Sequence, residues 1–332
     1  RLSIHNNDAL IDVDGLANLT QTNGLEIHDN FILTNVDGLA NLKSVGGNLY
    51  IGYNDALTNL DGLANITSVE GNLEVGFNFD LTNVDGFVNL KSVGGDLDIG
   101  YNGLINLDGL VNVTSVGGDL SVYNNYHLTN LDGLAGITNF GGDLRIFNNS
   151  SLTNLNGLAN ITNFEGNLSV FSNYALTSLD GLDGLNSVGG TLSISTNSAL
   201  TNIDGLASLT SVGANLYIGY NRALTNLDGL ANVISVGGNL TIHYNDNLRC
   251  EGIAPLLGWP NGPPNDSVNG DITFSNNATG CNNVREVLAS VSGPTQPIIT
   301  NAVLTGGNNI ALVFSASTTT DTLFPVTNYE AT

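Results

Sequence analysis

The side chains best suited to acid–base or metal chemistry are four histidines, His5, His28, His127 and His243. They do not form a triad, and no G-x-S-x-G, H-E-x-x-H or phosphate-binding glycine motif accompanies them. His5 and His28 share one repeat position, so they are expected to stack, but two ligands without a cysteine make a weak metal site. The sequence predicts no metal and no cofactor.

Three acids, Glu26, Glu74 and Asp98, share one outward strand position of the repeat. Paired carboxylates are the chemistry of glycosidases, provided that burial separates their pKa values. A shallow outer face is expected to leave these carboxylates hydrated, with no burial to raise a pKa. The sequence therefore predicts that the chain is not an enzyme.

These residues are positioned by a repeat of about 24 residues that covers the first three quarters of the chain. A period of this length indicates a solenoid, because one unit buries its apolar edge only by stacking on the next. The eleven units, called coils 1 to 11 below, begin at Leu2, Leu25, Leu49, Leu73, Leu97, Leu120, Leu144, Leu168, Leu192, Leu216 and Leu240.

Within one coil the hydrophobic spacing changes part-way along. Leu49 and Ile51 alternate with outward residues, which is the period of a β-strand. From Leu57 to Val69 the aliphatic residues fall at every third position, as in a chain that turns repeatedly around one core. The repeat therefore predicts an all-β-rich solenoid.

One nearly invariant column consists of asparagines. An amide both donates and accepts hydrogen bonds, so the column predicts a structural ladder that pairs with turn backbone and with the neighbouring Asn. The ladder includes Asn54, Asn78, Asn102, Asn125, Asn149 and Asn173.

A second pair of columns is an Asp followed by a Gly, as in Asp61 and Gly62. Stacked carboxylates about 4.8 Å apart would repel one another unless calcium or local hydrogen bonds compensate them. One Asp per coil is a poor calcium ligand set, and Asn156 replaces one of them. We therefore expect each Asp to cap a short helical turn by accepting backbone N–H bonds.

The composition limits the partners. The formal net charge is −23, which argues against nucleic acid and anionic lipid as partners. No apolar run approaches the roughly 18 residues of a membrane span, so no membrane insertion is expected in this segment.

The two cysteines, Cys250 and Cys281, both follow the last regular coil. We expect a disulfide that closes a C-terminal cap and contributes roughly 3 to 4 kcal/mol by restricting the unfolded chain. Two buried free thiols are the alternative. A lasting disulfide needs an oxidising compartment, so the sequence predicts an extracellular location.

An aromatic strip is predicted where one outward column departs from the repeat. Tyr123, Phe147 and Phe171 follow the inward aliphatic residue in successive coils, and Arg145 lies beside them. With Tyr126 and Tyr174 in the following loops, they form the candidate ligand-binding set. The alternative is a self-stacking ladder that only stiffens the sheet.

Two further columns carry predictions. A second aromatic group, Tyr53, Phe77, Tyr101 and Tyr220, is expected to pack inward or over the preceding Gly, because each follows one. A Thr column resembles the flat Thr rows of ice-binding proteins, which makes ice binding a lesser alternative. Its members are Thr34, Thr58, Thr82, Thr129, Thr153, Thr177, Thr201 and Thr225.

The pattern LxIxxNxxLTNLDGLANITSVGGN resembles the bacterial, leucine-rich-repeat-like relatives of the receptor L domain, over residues 1–249. The resemblance implies a right-handed β-solenoid in a secreted or cell-surface binding module, and it carries no catalytic residues.

The rest of the chain resembles two further parts of such proteins. Residues 250–290 resemble a closing cap held by the Cys250–Cys281 disulfide, in which residues 270–277 echo one last strand. Residues 291–332 resemble the start of a fibronectin type III domain, with alternating Ile310, Leu312 and Phe314. Such a β-sandwich has about 100 residues, so it is expected to continue past residue 332.

Together these features predict an extracellular, non-enzymatic recognition or adhesion module. Its solenoid face would bind a protein or carbohydrate ligand at a cell surface. The alternative is a structural stalk or filament subunit that self-associates end to end through open solenoid ends.

Overall fold

A computed structural model describes residues 1–254, 256–257 and 267–291, and the backbone of the strands Ile298–Leu304 and Ile310–Ser315. The chain folds as a solenoid-like, β-rich repeat in which successive coils stack in register. The predicted repeat fold is confirmed. The domain boundaries at residues 249 and 290 stay predictions, and much of the fibronectin-like segment lies outside the described residues.

The largest sheet, called the face sheet, has twelve parallel strands, one from each coil and one from the cap. Each residue pairs with its equivalent in the next coil, as Leu49 does with Leu73. The strands are Leu2–His5, Leu25–His28, Leu49–Gly52, Leu73–Asn78, Leu97–Asn102, Leu120–Tyr123, Leu144–Phe147, Leu168–Phe171, Leu192–Ser195, Leu216–Gly219, Leu240–His243 and Ile272–Ser275.

Two narrower parallel sheets, of six and four strands, form a second side of the solenoid. They are separated where Phe140 and Phe164 replace the usual Val, with ring centroids 4.8 Å apart. One contains Gln21–Thr22, Ser44–Val45, Ser68–Val69, Ser92–Val93, Ser115–Val116 and Asn139–Phe140. The other contains Asn163–Phe164, Ser187–Val188, Ser211–Val212 and Ser235–Val236.

A single 3₁₀ turn begins at the Asp column in most coils, but the predicted Asp cap is wrong. In these described turns no side chain of the Asp column makes a capping bond. The Asp61 backbone N–H donates to Asn59 Oδ1 at 3.1 Å, and Asp12 takes the place of this Asn before the first turn. The turns are Asp14–Leu16, Asp37–Leu39, Asp61–Leu63, Asp85–Phe87, Asp108–Leu110, Asp132–Leu134, Asn156–Leu158, Asp204–Leu206, Asp228–Leu230 and Glu251–Ile253. The Asp is the first residue of the turn, so its carboxylate faces solvent.

The Gly that follows this Asp is required by close stacking. A Cβ on Gly62 would lie 1.9 Å from the backbone oxygen of Val36 in the preceding coil. Any side chain would therefore force neighbouring coils apart. This close approach explains why the column does not vary.

The predicted Asn ladder is confirmed, and its amides are buried in the interior coils. Asn54 donates from its backbone N and from Nδ2 to Asn78 Oδ1, at 3.1 and 3.2 Å. Its Nδ2 also donates to the Ile27 backbone oxygen at 2.9 Å. Each amide thus joins three successive coils, and its backbone partner belongs to a strand, as Ile27 does, and not to a turn as expected.

The cap closes the last coil. Its strand Ile272–Ser275 pairs with Leu240–His243, as the sequence echo predicts. The helix Val284–Val291 follows, with Asn283 Oδ1 accepting from the Glu286 backbone N at 2.9 Å. The predicted Cys250–Cys281 disulfide is present and joins the start of the cap to this region.

Beyond the cap, the strands Ile298–Leu304 and Ile310–Ser315 form an antiparallel pair. In the described part of the chain, no helix is both long enough and apolar enough to cross a membrane.

Candidate functional site

The outer surface of the face sheet carries the candidate site. Because strand residues alternate, the second and fourth residues of each strand point away from the core. In coil 4 these residues are Glu74 and Gly76, while the inward Leu73 and Val75 are buried. The parallel register places equivalent side chains of successive coils side by side.

The predicted strip of Tyr123, Phe147 and Phe171 is contiguous. The ring centroids of Tyr123 and Phe147 are 4.9 Å apart, and those of Phe147 and Phe171 are 4.7 Å apart. The ring planes are nearly parallel, at 7° and 6°. The rings therefore also form the stacked ladder that was the structural alternative, and they present edges rather than faces to solvent.

The strip extends further than predicted. Tyr53 stacks on Phe77 at 4.3 Å and Phe77 stacks on Tyr101 at 4.2 Å, and Tyr101 meets the Tyr123 ring edge-on at 5.7 Å. Six rings therefore form one continuous line across coils 3 to 8. We call this line the ring array, made of Tyr53, Phe77, Tyr101, Tyr123, Phe147 and Phe171.

Of the two placements expected for Tyr53, Phe77, Tyr101 and Tyr220, inward packing is wrong. Each has a positive φ between 53° and 59°. This left-handed residue lies near or just beyond the end of the strand and directs the side chain outward, where Tyr53 and Tyr220 are exposed and Phe77 and Tyr101 are half-buried. Bulky residues rarely adopt this conformation, which costs about 1 to 3 kcal/mol.

Arg145 does not join the ring array. Its guanidinium donates to the carboxylates of Asp119 and Asp143, which precede the strands of coils 6 and 7. Phe147 lies two residues further along the same strand. The Asp119 carboxylate, partly buried, accepts the Asp143 N–H as well as Arg145, and these bonds outweigh burial and lower its pKa. Arg145 therefore serves as a structural counter-charge in this structure.

Tyr126 and Tyr174 lie apart from the ring array, in the loop just after the Asn ladder. The sequence prediction missed two aromatic residues at the same loop position, Phe31 and Phe79. All four are between 48% and 58% exposed and recur in every second coil. We call Phe31, Phe79, Tyr126 and Tyr174 the loop row; its alternate spacing was visible in the sequence.

The expectation that the face offers no burial is wrong at Glu74 and Asp98. These two residues are direct partners in adjacent strands. Burial, and then the Asp98 charge, raises the pKa of Glu74, and burial raises the pKa of Asp98 despite a hydrogen bond from Ser121. Two tyrosines lie over glycines nearby: a Cβ on Gly52 would clash with Tyr50, which pairs with Glu74, and one on Gly100 would clash with Tyr123.

The pKa values of these two tyrosines, Tyr50 and Tyr123, are also raised. Burial, and then the nearby charge of Glu74, raises the pKa of Tyr50 to about 12. Burial, with Asp98 and Glu74 as the next causes, raises the pKa of Tyr123 to about 12. Both phenols therefore stay neutral over the physiological range and act as hydrogen-bonding and apolar groups.

The histidines do not gather into a site. His5 and His28 stack with ring centroids 4.9 Å apart, as expected, and His28 Nδ1 lies 2.7 Å from Asp29 Oδ2. His243 Nε2 lies 2.7 Å from the Tyr217 hydroxyl. Among the described residues, no group of three or more His, Cys, Asp or Glu side chains is arranged to hold a metal ion.

No protein-family model matches the sequence, and no curated protein matches it either. The resemblance to receptor L domains and to a fibronectin type III domain therefore stays a prediction, and the function is argued from the geometry.

Proposed function

We propose that the chain is an extracellular, non-enzymatic recognition or adhesion module whose face sheet binds a protein ligand. The observation that carries this proposal is the ring array, six aromatic residues in unbroken contact across six coils. Aromatic residues are enriched at the centres of protein interfaces, where they supply apolar area at a small entropic cost.

The shape of the ring array favours a protein over a glycan. Five coil steps of about 4.8 Å give a line roughly 24 Å long, which suits an interface of standard size. A sugar packs on the face of a ring, and stacking covers most of these faces. Ring edges suit interdigitation with the side chains of a protein, so the glycan is the alternative occupant here.

The backbone conformation at Tyr53, Phe77 and Tyr101 supports the same proposal. In coils 6 and 7 the equivalent positions hold Asn124 and Asn148, which tolerate a positive φ well. Aromatic residues at this position sacrifice backbone stability for an outward ring. A role in binding explains that choice better than folding does.

The wider assignment belongs to the same proposal. We infer a right-handed solenoid of the receptor L-domain type followed by a fibronectin type III-like domain. The disulfide supports an oxidising, extracellular location. Glu74 and Asp98 are a poor glycosidase pair despite their raised pKa values, because they project from neighbouring strands on one side instead of flanking a bond.

Selection from a displayed peptide library on the immobilised chain tests the proposal. The test variant combines Tyr123→Ser, Phe147→Ser and Phe171→Ser, since Ser195 holds the same position in coil 9. We expect selected peptides to bind this variant at least tenfold more weakly than the original chain, which corresponds to about 1.4 kcal/mol or more.

The matched control is Tyr174→Ser, which removes an exposed aromatic residue from the loop row instead. Peptides that bind the triple variant and the original chain equally would contradict the proposal. If the original chain binds glycans and the triple variant does not, the ligand of the ring array is a glycan instead of a protein.

The stalk or filament role stays a prediction. It requires that copies of the chain associate end to end. An apparent molar mass, measured by light scattering, that rises with protein concentration and falls in Ile4→Asp would favour this role.

Ice binding by the Thr column also stays a prediction. Several of its hydroxyls donate to the preceding coil, as Thr225 Oγ1 does to the Thr201 backbone oxygen at 3.0 Å. These hydroxyls already have a partner within the protein. Thermal hysteresis measured in the purified chain would test the role directly.

A further inference from the structure

A groove interrupts the loop row between coils 4 and 6. In most coils, two residues separate the ladder Asn from the next buried Leu; in coil 5 a single residue, Gly103, stands in their place. The shorter loop leaves an open groove of about 640 Å³. Phe79 and Asp80 line it from coil 4, Gly103 and Ile105 from coil 5, and His127 from coil 6.

The lining residues depart from the repeat together. The positions of Asp80 and His127 are held by Ala56, Ala175, Ala199 and Ala223 in other coils, and Ile105 takes the position of the Thr column. In a repeat whose inward columns barely vary, these coincident exceptions mark one place on the surface. Folding does not require them, because the other coils form without them.

The aromatic ring in the groove differs from those of the ring array. Phe79 is 58% exposed and makes no ring contact with any described aromatic side chain. Ile105 beside it is 53% exposed. Together they offer a free ring face and an aliphatic surface, which are the apolar half of a small-ligand site.

The polar half comes from Asp80, Thr82 and His127. None of these side chains makes a hydrogen bond to another described residue, whereas Thr58 Oγ1 donates to the Thr34 backbone oxygen at 3.3 Å. A carboxylate, a hydroxyl and an imidazole therefore remain free to bind a ligand. They supply acceptors and donors around one apolar surface.

We propose that this groove binds a neutral pyranose residue of a glycan. The C–H face of the sugar packs on Phe79 and Ile105, and its hydroxyls bond to Asp80, Thr82 and His127. The volume lies in the range of small-ligand sites and admits a short oligosaccharide. The net charge of −23 disfavours acidic sugars. The groove is independent of the ring array and of its protein ligand.

Saturation-transfer NMR on the full chain tests the groove. The probes are the methyl glycosides of glucose, galactose, mannose and N-acetylglucosamine, with methyl glucuronide as the charged comparison. We expect at least one neutral glycoside to bind, with a dissociation constant of about 1 to 10 mM, and the glucuronide to bind more weakly.

The test variant replaces groove residues by those of other coils: Phe79→Ser, Asp80→Ala, Ile105→Thr and His127→Ala. These exchanges keep the fold, which an unchanged circular dichroism spectrum and melting curve would verify. We expect the transfer signal to fall at least fivefold. The matched control, Tyr174→Ser with Ile234→Thr, removes exposed apolar residues elsewhere and should leave it unchanged.

Three results would overturn the proposal: no neutral glycoside binds, the signal survives in the groove variant, or it falls equally in the control. If the signal falls instead in the ring-array variant, the sugar binds the face sheet. The first result leaves the protein-ligand proposal intact, because the peptide selection measures the ring array separately.

Discussion

The two sides of the face sheet obey different rules. On the inner side, Leu49 and Ile51 and their equivalents are aliphatic in every coil and fully buried from coil 2 onward. On the outer side, one column changes from His28 through Gly76 to Phe147 and back to Ser195. The same strands, in the same register, carry both patterns.

The difference separates folding from function. A residue between stacked coils meets its own equivalent above and below, so one change strains three coils at once. An outward residue meets only its neighbours on the surface. Departures from the repeat are therefore informative on the outside, where stacking does not dictate the residue, and costly on the inside.

The largest effect is expected inside. Asn102 donates to the Val75 and Gly100 backbone oxygens, both at 2.9 Å, and accepts from Asn78. Asn102→Ala leaves these buried groups without partners and should cost about 4 kcal/mol in the free energy of unfolding. Denaturant unfolding measures it. The control Asn7→Ala, in the exposed first coil, should cost far less; equal losses would break the comparison.

A smaller loss is expected where the cap covers the inner side. Replacing both cysteines, Cys250→Ser with Cys281→Ser, should lower the free energy of unfolding by about 3 kcal/mol, because the unfolded chain is no longer restricted. Hydrogen exchange should rise mainly in coils 10 and 11, which lie against the cap. An equal increase in hydrogen exchange in all coils would show that loss of the disulfide does not act locally on the coils beside the cap.

Outside, substitutions should scarcely change stability. Tyr53→Asn with Tyr101→Asn removes ring stacking worth about 1 kcal/mol per pair but relieves strain at a positive φ. The net change should stay within about 1 kcal/mol in thermal unfolding. A loss comparable to that of Asn102→Ala would mean that the ring array holds the fold together.

The smallest effect concerns the covered acids. Because burial raises the pKa of Glu74, its protonated form stabilises the fold at low pH, and this contribution is lost as the pH rises through the raised pKa. Glu74→Gln should therefore raise the melting temperature at pH 7 and have no effect near about pH 3, where the carboxyl is protonated. Glu165→Gln, at an exposed site, should show no such difference.

Much of the fold follows from periodicity. The spacing of Leu49, Ile51 and Leu57 predicts a strand and then turns around one core, and the Asn column predicts the ladder. These features repeat, so each coil confirms the others. The role of the Asp column was mistaken because the later N–H groups of the turn donate to backbone oxygens, as Leu63 does to Leu60 and Ala64 to Asp61, and leave the carboxylate no donor to cap.

The outer site was harder to predict because it depends on backbone angles and on neighbours. Alternation alone turns Tyr53 the wrong way, since a single left-handed residue breaks the period of two. Glu74 is partly buried beside Tyr50 of the adjacent strand, and Tyr50, like Tyr123, lies over a glycine of the sheet. The carboxylates of Asp119 and Asp143 bind Arg145, and nothing in the repeat pattern distinguished these two positions.

The Asn ladder also gives the solenoid a direction. The backbone N–H of every ladder Asn donates to the side-chain oxygen of the Asn in the following coil, as Asn221 does to Asn245 and Asn245 does to Asn277 in the cap, while Nδ2 donates back to the preceding coil. Asn277 ends the series, because its backbone N donates to Asn282 Oδ1, within its own coil. Whole coils can therefore be inserted or deleted in register, because each new junction again places a donor against an acceptor. A coil joined in reverse would set donor against donor.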